Sequence, residues 1–236
     1  MSNIHIVTYA THSDGLFEKL INNKFNIKIN VLGWNKKWNN YYDKIKGINE
    51  FIKDKNDHDI IIYLDGFDSE INKTIDQNFI NIFKSFNCDI LFSRDTNIRN
   101  PIAKYILNKK FKNKNSKYIA NAGMFMGYSK YLKKLFIEVF KLNLDDDQVA
   151  FNKCMENFNY KIDLNNIIFK NIIKEKDKGY EYFTSYPGGA IGKASYKYTF
   201  NRFYRCIKEN LFLFINEIII LTVIIISIII IKNIYT

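Results

Sequence analysis

Cysteine, histidine and proline are scarce in this chain, and each scarcity closes off a class of function. The three cysteines, Cys88, Cys154 and Cys206, share no short spacing, which argues against a zinc site or a disulfide framework and favours a reducing compartment. The three histidines, His5, His12 and His58, lie far apart and suggest no Ser-His-Asp or Cys-His arrangement. His5 alternates within a strand and is expected to be exposed or satisfied in the core. His58 precedes a strand, and only His12 sits in a loop near a candidate site. Two prolines and ten glycines in 236 residues leave few enforced breaks, as suits a regular globular domain. No basic region followed by an apolar run opens the chain, which begins MSNIHIVTYATHSDG, so a secretory leader is not expected.

What is abundant excludes other classes. Apolar residues make up 47% and aromatics 16% of the chain, enough to bury a core and to rule out a disordered polymer. The net charge of +11 comes from lysines spread along the sequence, a solvated basic surface that also suits anionic lipid or a diphosphate ligand. No Arg-rich recognition helix, zinc-finger spacing or RNA-binding aromatic motif accompanies it, so nucleic acid is not expected as a partner.

One run stands apart. Residues 211–231, LFLFINEIIILTVIIISIIII, are almost wholly apolar and match the about 20 residues needed to cross a hydrocarbon core. Glu217 lies near one end, within reach of the headgroups. Arg202, Arg205 and Lys208 precede the run and only Lys232 follows it, which orients the amino-terminal side to the cytosol. The expected organisation is a domain over 1–205, a basic neck over 206–210, a transmembrane helix over 211–231 and a short tail over 232–236. That describes a single-pass, tail-anchored membrane protein. A lumenal domain is the alternative, and it could carry a glycan at the sequon Asn72-Lys73-Thr74.

Within the domain, apolar runs alternate with amphipathic stretches. Strands are expected over 3–9, 26–33, 59–65 and 88–94, with helices over about 13–23, capped by Ser13, and over 40–55 and 74–86. YIANAGMFMGY (118–128) reads as strand, turn and strand around Asn121-Ala122-Gly123. A helix over 130–142, another after the acidic cluster at 145–147, and two short strands near 160–164 and 167–172 complete the pattern. This is an α/β chain whose sheet is largely parallel at its start. In open α/β sheets ligands bind beyond the carboxyl ends of the strands. Asp65 stands at one such end, and Ala10-Thr11-His12 at another.

The chemistry-bearing residues gather at those ends. Asp65 and Asp68 form an Asp-x-x-Asp pair on a strand exit; two hard oxygen donors suit Mg²⁺ or Mn²⁺, which complete their shells with water and substrate phosphates. The same spacing also arises where a strand simply runs into a turn. Asp145, Asp146 and Asp147 begin a helix, where carboxylates complement the dipole and where one of them can take the proton of an incoming hydroxyl. Gly188, Gly189 and Gly192 with Lys193 would let backbone and an ammonium approach phosphate, without the spacing of a P-loop.

In order and spacing these pieces resemble the glycosyltransferase domain of the procollagen lysyl hydroxylases and, more distantly, collagen galactosyltransferases. VTYAT, VLGWNKKW, IIIYLDGFD, DILFSRD, YIANAGMFMGY, DDDQVAF and KIDLNNIIFKNI carry the likeness over about residues 4–200. The resemblance implies a GT-A fold, a Rossmann-like mixed sheet flanked by helices. It also implies transfer of a hexose from UDP-glucose or UDP-galactose, with Mn²⁺ or Mg²⁺, to a hydroxyl acceptor. By the same resemblance Asp65 and Asp68 hold the metal, Thr11 and Trp38 contact the nucleotide, and Phe67 lies beside the uracil. Asp146 and Asp147 serve the transfer, and Gly188 and Lys193 approach the diphosphate. One departure stands out: in YPGGAIGK, Tyr186 or Pro187 falls where the family carries a metal-binding histidine. That loss implies weaker metal binding and motivates a second expectation, a catalytically degraded relative that binds a sugar nucleotide or a partner at a membrane.

Overall fold

The computed structural model describes residues 3–95, 118–144, 146–172, 178–186 and 215–235. The chain divides into two compact units: Met1–Asn97 with Asn113–Ala194, and Ile98–Lys112 with Ser195–Thr236.

The first unit is built on strand β3, Ile60–Leu64, all five residues of which are buried. A run of branched apolar residues with no polar face forms a strand covered on both sides. Its parallel neighbour is β1 (Ile4–Tyr9), paired Ile4 to Ile60 and Val7 to Tyr63, and β2 (Ile29–Leu32) lies parallel beyond β1. On the other side, β6 (Ala120–Tyr128) runs antiparallel to β3 and to β5 (Ile90–Arg94), and β7 (Tyr160–Asp163) closes the order β2-β1-β3-β6-β5-β7. The expected parallel start is therefore present, and the sheet becomes mixed where β6 enters.

One face of the sheet is covered by α2 (Tyr41–Ile52), α4 (Ser129–Leu142) and α5 (Asp147–Cys154) around Tyr63, Phe92, Phe125, Phe136 and Phe151. The opposite face packs against α3 (Gln77–Ser85), through Phe79 and Phe83, and against a small sheet of β4 (Ser69–Ile71), β9 (Phe183–Ser185) and β8 (Phe169–Asn171). Local chemistry sets the helix starts. Asn40 accepts from the Tyr42 N–H and Asp76 from the Phe79 N–H, each satisfying an orphan donor of the first turn.

Three expectations change. The first helix, α1, spans only Phe17–Ile21 and has no side-chain cap; Ser13 instead donates to Glu18. Gly15, at φ +56°, bends the chain there and delays the helix. Strand β3 ends at Leu64, one residue short of the expected 65, and the chain beyond the exit returns as β4 in the small sheet. Residues 120–128 make one strand rather than strand, turn and strand. The glycine marks a bulge: Phe92 faces Phe125, yet Ser93 faces Asn121, so Ala122, Gly123 and Met124 have no counterpart on β5.

In the second unit, α6 spans Ile215–Tyr235, and its side chains over 218–230 are exposed. Residues 211–214 of the expected span lie outside the described residues. Among the described residues, no helix is long and apolar enough to cross a membrane.

Candidate active site

The topology brings the carboxyl ends of β1 and β3 together. Gly66, just past β3, approaches β1 so closely that a Cβ there would stand 2.9 Å from Thr8 Oγ1 and 3.1 Å from Ala10. The loop then holds Phe67, whose carbonyl accepts from the Leu16 N–H at 2.8 Å. Gly15 packs on that same carbonyl with room for no side chain, a Cβ falling 2.2 Å from the oxygen.

Above these ends lies a knot of charge. Asp65 and Tyr63, two apart on one strand, share a face, and the Tyr63 hydroxyl donates to Asp65 Oδ1 at 2.7 Å. From α2, Lys44 reaches over the Tyr63 ring, 5.2 Å from its centroid. Its ammonium lies 3.8 Å from Asp65 Oδ1 and forms an ion pair with Asp147 Oδ2 at the start of α5. Lys44 and Asp147 are both buried. Burial opposes the ammonium's charge, but Asp147 and Asp65 outweigh it and raise the Lys44 pKa. The Asp147 carboxyl is pushed up by burial against the pull of Lys44, with Asp65 and Asp146 adding to the rise. The two tendencies compete for the same proton. The ionic pair prevails because the ammonium serves two carboxylates at once and also donates to the Ala122 carbonyl at 3.4 Å. Burial, then Asp65, then Asp147 and Asp68, push the Tyr63 hydroxyl well above its ordinary range, so it remains a proton donor. Asp65 and Asp147 thus share one ammonium, with the Tyr63 phenol bonded to Asp65, and form one electrostatic cluster.

The bulge in β6 lines this cluster from the side. The Asp65 N–H donates to the Gly123 carbonyl at 2.8 Å, and a Cβ on Gly123 would stand 2.7 Å from Asp65 Oδ2. The amides freed by the bulge find side chains instead of a ladder: Gly123 N–H donates to Asn121 Oδ1 at 2.8 Å and Ala122 N–H to Gln148 Oε1 at 3.4 Å. Gln148 also donates to Asp95 at 3.1 Å. One turn further along α5, Asn152 pairs with both backbone groups of Ala120. Gln148 and Asn152 therefore hold α5, and Asp147 with it, against the strand that supports Asp65.

The other expected residues take separate places. Asp68 Oδ1 accepts from the Ser185 hydroxyl at 3.0 Å, tying the loop after β3 to the small sheet. Asp146 caps α5, its Oδ1 accepting from the Val149 N–H at 3.1 Å. Thr11 Oγ1 lies 2.9 Å from His12 Nδ1, and the His12 ring packs 5.2 Å from Phe67. Trp38, half-exposed, lies edge-on to Tyr9 and Tyr41, and the equally exposed Trp34 stacks on Phe17 at 5.0 Å. His5 is satisfied by Asp59 at 3.1 Å. Asp145, Pro187, Gly188, Gly189, Gly192 and Lys193 lie outside the described residues.

Sequence reading missed Lys44, Tyr63 and Gln148. Lys44 had a signal, a charged residue on the apolar stripe of α2 between Tyr41 and Ile48. Tyr63 had one too, a hydroxyl in an otherwise aliphatic buried strand, two residues before the aspartate.

Among the described residues, no group of three His, Cys, Asp or Glu side chains is placed to hold a metal ion. Asp65 lies in the cluster and Asp68 beside Ser185; the two carboxylates would be hard donors to an ion whose other ligands are phosphate oxygens and water. A cavity of about 480 Å³ lies elsewhere, by α3 and the small sheet, lined by Lys73, Asn78, Asn166, Lys170, Tyr180 and Tyr182. It contains none of the carboxylates of the cluster.

No curated protein matches the chain. Among solved structures it is similar to the galactosyltransferase LgtC in complex with donor and acceptor sugar analogues, at 12% identity and a TM-score of 0.46, over 83% of this chain and 94% of that one. The family model of the PLOD GT domain matches residues 1–185, a span that includes β1, the Asp65 strand exit, the β6 bulge and the acidic start of α5. The chain therefore belongs to the glycosyltransferase-domain family of the procollagen lysyl hydroxylases.

Proposed function

We propose that this chain is a membrane-anchored, metal-dependent glycosyltransferase of GT-A type that moves a hexose from a UDP-sugar to a hydroxyl acceptor. The observation that carries the reading is the convergence of Asp65 and Asp147 on Lys44 beyond the end of β3, within a glycosyltransferase family. The nucleotide would lie over the ends of β1 and β3, against Thr11, Phe67 and the exposed ring of Trp38. Asp65 and Asp68 would hold Mn²⁺ or Mg²⁺, which neutralises charge on a diphosphate leaving group. Gly188 and Lys193 would approach that diphosphate.

The reaction breaks the bond from the sugar's anomeric carbon to UDP oxygen and forms one to the acceptor oxygen. Asp147, or Asp146 beside it, faces the acceptor hydroxyl and receives or orients its proton. A carboxylate with a raised pKa suits that work, and Lys44 keeps it charged before the acceptor arrives.

The apolar helix within 211–231 would fix the protein to a bilayer with its catalytic unit toward the cytosol, where UDP-sugars are made. This part is supported by the isoleucine-rich run of α6, exposed over 218–230, and by the basic residues that precede it.

The test is to incubate the purified full chain with Mn²⁺ and UDP-glucose or UDP-galactose and measure UDP release. Metal-dependent release that is abolished in Asp65→Ala supports the enzyme. Saturable binding of UDP-sugar without turnover, across both donors and a panel of hydroxyl acceptors, would instead favour a degraded, ligand-binding relative, the reading prompted by Tyr186 and Pro187 in place of histidine. Flotation with anionic liposomes, lost when the chain is cut after residue 210, tests the anchor.

A further inference from the structure

We infer that Tyr63 is a positioning residue that makes Asp65 a one-oxygen ligand: its phenol takes Oδ1, and only Oδ2 is presented to the cation and diphosphate. The inference deepens the glycosyltransferase reading and rests on it. Four observations define the arrangement. Tyr63 is fully buried, and its ring is fixed by stacking on Phe125 at 5.1 Å on one side and by the Lys44 ammonium at 5.2 Å. Its hydroxyl donates to Asp65 Oδ1 at 2.7 Å, a short bond to a charged acceptor. The Asp65 backbone is pinned by its N–H to the Gly123 carbonyl at 2.8 Å. Oδ2 lies over Gly123 so closely that a Cβ there would be 2.7 Å away, so the missing side chain leaves that oxygen its space.

A free aspartate on a strand exit rotates about two bonds and can offer either oxygen or both. Here one oxygen is already bonded from below, and the main chain behind it is held. The carboxylate is thus oriented before any ligand arrives, which lowers the ordering cost of binding. Strand geometry makes this possible, since residues i and i+2 share a face; a tyrosine two positions before the aspartate puts a phenol beneath its carboxylate.

The test compares the full-length wild type with Tyr63→Phe, measuring Mn²⁺ affinity by calorimetry with and without UDP, alongside kcat and KM for UDP-sugar hydrolysis. Removing an outer hydrogen bond to a metal ligand is expected to weaken Mn²⁺ binding by about 10- to 100-fold. The donor KM should rise while the circular dichroism spectrum stays that of the wild type. Gly123→Ala, which crowds Oδ2 from the other side and leaves the phenol in place, should weaken Mn²⁺-dependent UDP binding as well, and it serves if Tyr63→Phe does not fold. Wild-type Mn²⁺ affinity in both variants overturns the inference alone, provided Asp65→Asn still abolishes binding. Absence of Mn²⁺-dependent UDP binding by the wild type overturns the functional reading and the inference together.

Discussion

Lys44 and Asp147 stand 103 positions apart in sequence and form one buried ion pair, closing α2 and α5 over the end of the central strand. The pair sits beside Asp65, so a single ammonium balances two carboxylates. Burying such a pair has a cost that is repaid only while both partners remain.

Removing one partner should therefore be severe. Lys44→Met leaves Asp65 and Asp147 without their cation, and unfolding free energy is expected to fall by about 3–5 kcal/mol, measured by urea denaturation. The double variant Lys44→Met/Asp147→Leu should recover much of that loss and no UDP release. Recovery of both would show that the pair is structural only.

Acid sensitivity is expected at the opposite end of the sheet. Asp59 is buried, which by itself raises its pKa, but the Asn3 N–H, His5 and the Asn56 N–H outweigh burial and hold the carboxyl below its ordinary range. A folded-state value below the unfolded one stabilises the protein fully above the unfolded pKa, about 3.9, and the contribution is lost as pH falls through the folded value. Asp59→Asn should thus be destabilising at pH 7, and its deficit against wild type should shrink below about pH 4. A deficit that stays constant down to pH 3 contradicts this.

Gly15 couples backbone geometry to the site. At φ +56°, with a Cβ only 2.2 Å from the Phe67 carbonyl, Gly15→Ala is strained and should cost roughly 1–3 kcal/mol. It should also displace Phe67 and weaken UDP binding. A thermal melt with a UDP titration checks both, and a variant with unaltered melting and UDP affinity would remove Phe67 from the nucleotide pocket.

The two described cysteines should be inert in the folded protein. Burial pushes the Cys88 thiol up to about 12 and the Cys154 thiol up to about 11, so neither forms thiolate near neutral pH. Iodoacetamide at pH 7.5 followed by peptide mass spectrometry should leave both unmodified until denaturant is added. Labelling of either in the native state would show that its helix or strand opens.

Much of the domain is legible in one dimension because periodicity is a local property. The aliphatic run of β3 specifies a strand covered on both faces, the stripe Ile45, Ile48 and Ile52 specifies α2, and the alternation of strands and helices makes Asp65 a strand-end residue. Boundaries set by contacts are less legible. Nothing within YIANAGMFMGY distinguishes a turn at Gly123 from a bulge, since the choice is made by β5 and β3 pairing on either side. The ends of α1 likewise depend on Gly15 packing against a carbonyl more than fifty residues away.

The sequence by itself determined which residues are apolar, where carboxylates leave a strand, and the ordered motifs that belong to a glycosyltransferase domain. Only the tertiary structure decided that Lys44, Tyr63 and Gly123 gather at Asp65, with Asp147 on the same ammonium. The physical reason is that a buried charge is tolerated only with partners close in space, and those partners come from α2, β3, β6 and α5, which lie far apart along the chain.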